Sequence, residues 1–122
     1  MLLVDDDPAM LRMLEVNFRL SGFTVRTAMR GDQAVEDAIA SPPDALVLDV
    51  MMPGLSGFEV GHRLRQEPAL ARVPIVFLTA RTQDDDRAQG DAVGGSEFVT
   101  KPFDPAALVD TIRRRLAELD PS

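Results

Sequence analysis

The chain contains no cysteine, no tryptophan and no tyrosine, and its only histidine is His62. Without cysteine there is no disulfide framework, no thiol chemistry and no Cys-based zinc site. Long apolar runs are missing too. None approaches the ~18 residues of a membrane span, and the N-terminal MLLVDDD lacks the basic region of a signal peptide. A soluble, cytosolic protein with no membrane partner is the expectation. Positive charge is scarce, with 13 Lys and Arg against 20 Asp and Glu and a net charge of -7. That balance argues against nucleic acid as a partner of this chain itself. One histidine without a second donor site does not make a kinase, and His62 reads as an exposed or half-packed helix residue.

What is present suits one globular domain with one core: 122 residues, 45% hydrophobic and 27% charged. The apolar run 2–4 predicts a first strand, and it ends in Asp5-Asp6-Asp7. A helix follows, with Met10, Leu11, Leu14 and Phe18 on one face; Asp7 suits its N-cap, Pro8 its first turn and Gly22 its stop. Further strands are predicted over 23–28, 44–50, 73–80 and 96–101. Helices are predicted over 31–41, 58–66 and 84–93, and from Asp104-Pro105 onward. The third and fourth strands are continuously apolar, as strands buried on both faces are. Five alternating β–α units predict a doubly wound α/β fold, a five-stranded parallel sheet with helices on both faces.

In such a sheet, ligands bind beyond the carboxyl ends of the strands. The first strand delivers Asp5, Asp6 and Asp7 there; the third delivers Asp49; the fourth Thr79 and Ala80; the fifth Lys101 and then Pro102. Clustered carboxylates raise one another's cost of ionisation, and a divalent cation relieves it. An oxygen-only set suits Mg²⁺. Lys101 suits a phosphate as a point charge, and Thr79 can donate to a phosphate oxygen. No GxxxxGK[ST] and no GxGxxG is present. Two chemistries stay open on these residues: Asp49 itself takes a phosphoryl group, or the site holds a phosphoester. A phosphatase using Asp49 would want a second Asp two residues on, and that position is Met51.

The segments 3-LVDDD-7, 48-LDVMMPGLSG-57, 77-FLTA-80 and 101-KPF-103, in that order, resemble the receiver domain of two-component response regulators. The resemblance covers residues 1–118, and the motifs are strong only as a set. It implies a CheY-like fold over residues 1–119, with 120–122 a tail or the start of a linker. Asp49 resembles the phosphoacceptor, supplied by a histidine kinase or a phosphotransfer protein. Asp5 and Asp6 resemble the acidic pair for Mg²⁺, Asp6 as direct ligand and Asp5 through water; Met51 would add its backbone carbonyl. Thr79 and Lys101 resemble the pair that contacts phosphoryl oxygens, and Lys101-Pro102 the family's cis peptide. Phe98 resembles the aromatic switch that turns inward when Thr79 moves. On this reading Asp49 sits at the mouth of the site, balanced by Mg²⁺ and Lys101.

The implied function is a phosphorylation-dependent switch rather than an enzyme acting on external substrates. It would act through the face made by the helix at 84–93, the fifth strand and the last helix, on an output domain or partner protein. The alternative is a phosphorylation-independent scaffold of the same fold. Two departures stand out. The usual Gly-Ala-Asp-Asp/Glu reads Gly94-Gly95-Ser96-Glu97, which should loosen that turn. The acid–base pair common in the DNA-binding winged-helix branch falls on Ala107 and Arg87, so a homodimer through that face stays open, with Glu97 available to Arg113 or Arg114. Met51 and Met52 are candidates for a soft recognition surface.

Overall fold

The computed structural model describes residues 1–79 and 96–119. Ala80, the predicted helix over 84–93 with Arg87, Gly94-Gly95 and the tail 120–122 lie outside the described residues. Strands run over Leu2–Val4 (β1), Arg26–Ala28 (β2), Leu46–Asp49 (β3), Ile75–Thr79 (β4) and Ser96–Thr100 (β5). Helices run over Pro8–Leu20 (α1), Gly31–Ala40 (α2), Gly57–Arg65 (α3) and Pro105–Leu119 (α4). A short 3₁₀ turn, Pro68–Leu70, precedes β4 and was not foreseen.

All pairings are parallel and the strand order is β2-β1-β3-β4-β5. Side chains alternate across the sheet. Leu2, Val4, Leu46, Leu48, Ile75 and Phe77 face a layer containing Ala34 and Ala38 of α2 with Phe58, Val60 and Leu64 of α3. Leu3, Val47, Val76 and Leu78 face the opposite layer, with Leu11, Leu14 and Phe18 of α1 and Leu108, Val109 and Ile112 of α4. The sheet is thus covered on both sides, which is why its central strands are apolar up to Asp49 and Thr79 at their carboxyl ends.

The helix starts are chemical. Asp7 caps α1 by accepting from the Ala9 N–H at 3.0 Å, with Pro8 in the first turn. Asp104 does the same for α4 through the Ala106 N–H at 3.0 Å, and Ser56 caps α3 through the Glu59 N–H at 3.2 Å. Gly22, at φ 95°, closes α1 by donating to the Arg19 carbonyl at 3.1 Å.

The second strand is shorter than its sequence suggested. Phe23 turns edge-on to Phe18, with ring centroids 5.4 Å apart, instead of entering the ladder. The Thr24 and Val25 carbonyls accept from the Met1 amine at 2.7 Å and the Arg19 guanidinium at 2.9 Å. Met52 is another correction: it is buried in the α2–α3 layer, whereas its neighbour Met51 is exposed, so the two do not form one surface.

Phe77 is fully buried beneath Phe58, at 4.9 Å, and Phe98, at 5.7 Å. Phe77→Ala should cost about 3–5 kcal/mol of unfolding free energy, measured by urea denaturation. A loss under about 1 kcal/mol would mean the layer collapses onto the gap far more readily than close packing allows.

Candidate functional site

The strand order reverses between β1 and β3, and in open parallel sheets ligands bind at the carboxyl ends of the strands at such a point. Asp5 follows β1 and Asp49 ends β3, so the two carboxylates stand side by side at this point. Asp5 is fully buried and accepts from the Asp7 N–H at 2.9 Å. Asp49 is enclosed as well, with its side chain only 6% exposed, so it sits deeper than a mouth residue would. Asp6 is exposed on the outside of the pair. Carboxylate oxygens of Asp5, Asp6 and Asp49 lie within 4.8 Å of one another.

Lys101 reaches this cluster from the end of β5. Its main-chain N–H donates to the Thr79 carbonyl at 2.7 Å, which carries the β4–β5 pairing one residue past the ladder. Its ammonium lies 3.2 Å from Asp49 Oδ1 and 3.4 Å from Asp5 Oδ2. The Lys101-Pro102 peptide is cis, as the motif implied. Thr79 is buried at the end of β4, next to Asp49's strand. Phe98 is half-buried on β5 and packs on Phe58 and Phe77. The residues singled out from the sequence, Asp5, Asp6, Asp49, Thr79 and Lys101, therefore converge on one end of the sheet.

Burial pushes the Asp49 carboxyl up to about 6, the negative charge of Asp5 adds to this, and Lys101 opposes it. The Met51 main chain also favours the charged form of the Asp49 carboxyl. For Lys101, burial works against the charge, but Asp49 and Asp5 outweigh it and the pKa is raised. Among the described residues, three carboxylates face one ammonium, which leaves the cluster short of positive charge. A hard, oxygen-only donor set of this kind fits Mg²⁺.

The close approach of α3 to Asp49 was not visible in the sequence. A methyl group on Gly57 would overlap the Asp49 carbonyl oxygen and come 2.9 Å from its carbonyl carbon. Only glycine lets the helix start lie directly against the strand end, and the Gly57 N–H there bonds the Val50 carbonyl at 3.1 Å. On the neighbouring face, Glu97 pairs with Arg114 at 2.7 Å and Arg115 at 3.4 Å. Arg113 instead donates to the Ser21 carbonyl at 2.6 Å and lies over the Phe23 ring. His62 is exposed on α3, away from these contacts.

Residues 1–113 match the family model for the response regulator receiver domain. The phosphate regulon transcriptional regulatory protein PhoB of Rhizobium meliloti is 40% identical over 118 residues, covering 97% of this chain and 52% of that protein. The chain spans about half the length of several curated relatives it matches. Among solved structures, the chemotaxis protein CheY4 of Vibrio cholerae superposes with a TM-score of 0.88 at 33% identity, covering 93% of this chain and 94% of that one. The receiver domain of a sensor histidine kinase from Pseudomonas aeruginosa PAO1, solved with a magnesium ion coordinated in its active site cleft, gives 0.87 at 32% identity, covering 95% of each chain.

The raised Asp49 pKa has a consequence for stability in the absence of divalent cations. Folded Asp49 keeps its proton up to about pH 6, whereas in the unfolded chain it loses it near ~3.9. The folded state is therefore favoured below that lower value and loses the advantage as pH rises through about 6. Relative to Asp49→Asn, metal-free wild type should lose about 2 kcal/mol between pH 4 and 7, read from paired denaturation curves in EDTA. A difference that stays flat over that range, or grows in the opposite direction, would contradict this assignment.

Proposed function

Because this chain belongs to the response regulator receiver domain family, we propose that it is a phosphorylation switch with Asp49 as its phosphoacceptor. The observation that carries the reading is the Asp49 carboxylate, enclosed with Asp5 and Asp6 beside it and the Lys101 ammonium 3.2 Å away. The donor is a phosphohistidine of a histidine kinase or phosphotransfer protein, or a small phosphodonor. An Asp49 oxygen attacks phosphorus and forms the P–O bond of an acyl phosphate. The P–N bond of the phosphohistidine breaks, and the imidazole nitrogen leaves with the electron pair. Asp5, Asp6, Asp49 and the Met51 carbonyl are the residues that would hold Mg²⁺. Bound there, the ion supplies charge neutralisation for the phosphoryl oxygens.

Lys101 and Thr79 serve the same oxygens from the protein side. Lys101 is already drawn to the Asp49 carboxylate, and a phosphoryl group adds further negative charge at that spot. Thr79 sits one strand over and offers a hydroxyl donor. Attack of water on phosphorus later breaks the P–O bond to Asp49, releases inorganic phosphate, restores the carboxylate and resets the switch. Turning a two-state face from mostly off to mostly on takes up to ~5.5 kcal/mol of differential interaction. A few charge-assisted hydrogen bonds are of that order. The responding face contains β5 and α4, where Phe98 and the Glu97 pairs lie, and the output is a partner protein or an attached domain. We read residues 1–119 as this one receiver domain and 120–122 as a tail or linker start.

Intact mass after incubation with acetyl phosphate and Mg²⁺ tests the reading directly. Wild type should gain about 80 Da for one phosphoryl group; Asp49→Asn should gain none, nor should wild type in EDTA. A folded, Mg²⁺-binding wild type that gains nothing would sink the proposal in favour of a phosphorylation-independent scaffold. A gain that persists in Asp49→Asn would move the acceptor to another aspartate.

A further inference from the structure

The loop 50–56 between β3 and α3 carries Met51, two residues after Asp49, and the Met51 main chain favours the charged form of the Asp49 carboxyl. Gly57 holds one end of this loop against the β3 backbone. A second glycine, from a different helix, presses on the same loop. Gly31 is the first residue of α2 and is buried. A Cβ there would stand 2.7 Å from Leu55 Cβ, 2.8 Å from the Leu55 carbonyl oxygen and 2.9 Å from Val60 Cγ2. Leu55 Cβ and its carbonyl oxygen cannot swing aside by a side-chain rotation. Any side chain at 31 must therefore move the loop or the helix.

The backbone of Gly31 does not itself call for glycine. Among the described residues, only Gly22 and Gly54 have positive φ. Space is the reason, and glycine is chosen in spite of its poor helix propensity. Leu55 in turn packs its side chain on the α2–α3 layer, directly after the Gly54 turn at φ 78°. So the loop is pinned at Leu55 by α2 and at Gly57 by β3, with Met51, two residues after Asp49, at the near end.

We infer that Gly31 is a positioning residue for the phosphoacceptor: by seating Leu55 against the start of α2, it fixes the 50–56 loop and hence the main chain of Met51 beside Asp49. The effect on Mg²⁺ rests on the proposed function, whereas the effect on the loop does not.

The test uses ¹⁵N-labelled wild type, Gly31→Ala and Leu116→Ala, compared by amide spectra. Leu116 packs in the layer on the other side of the sheet and controls for general loss of stability. In metal-free protein, Gly31→Ala should shift the Leu55 and Met51 amides, and Leu116→Ala should leave them in place. Titration of the same samples with Mg²⁺ should give a dissociation constant about 10-fold weaker for Gly31→Ala and unchanged for Leu116→Ala. Unmoved Met51 signals with wild-type Mg²⁺ affinity in folded Gly31→Ala would overturn the inference. If Gly31→Ala does not fold, Leu55→Gly loosens the same contact from the loop side and decides by the same two readouts. A wild type that ignores Mg²⁺ counts against the proposed function, and the metal-free Met51 and Leu55 shifts then decide the role of Gly31 alone.

Discussion

The structure is organised around one ammonium placed between two buried carboxylates. Asp5 and Asp49 end adjacent parallel strands, almost out of contact with water. Left alone, two such charges would repel each other and pay heavily for lost hydration. Lys101 meets both, at 3.4 and 3.2 Å, from positions 96 and 52 residues further along the chain. The contact exists only if β1, β3, β4 and β5 are in register, so the pairing of these four strands is read out at this one point.

Among the described residues the compensation is incomplete. Asp49 remains raised to about 6 because burial and Asp5 together outweigh Lys101. A fully neutralised cluster would offer a cation no net attraction. Asp6 is the member of the cluster that opens to solvent, and an oxygen-only donor set of this kind suits a small hard cation. The stability for this arrangement comes from below, from two apolar layers on either side of the sheet. Within them, Phe77 links the floor of the site to Phe58 and Phe98.

Backbone proximity is the second constraint. Gly57 and Gly31 are each placed where a methyl group would collide with main-chain or Cβ atoms of the β3–α3 region. The loop beside Asp49 is therefore shaped by contacts that involve no side-chain chemistry. Dense packing transmits such contacts because no slack remains to absorb them.

Much of this was legible along the chain. Continuous apolar runs at 46–48 and 75–78 signalled strands covered on both faces, and the caps Asp7, Ser56 and Asp104 mark the helix starts found. The acids, the hydroxyl and the lysine at strand ends were readable as one constellation because each follows an apolar run directly. These are local properties, set by periodicity and by the nearest residues. The tertiary structure decided what depends on distant segments. Neighbouring Asp5 and Asp6 differ completely in burial, as do Met51 and Met52, because packing partners from elsewhere cover one and not the other. Glu97 found Arg114 and Arg115 rather than Arg113 because the rotation of α4 on the sheet is set by Leu108, Val109 and Ile112. The need for glycine at 31 arises only when α2 meets Leu55, twenty-four residues on, a contact that no local pattern encodes.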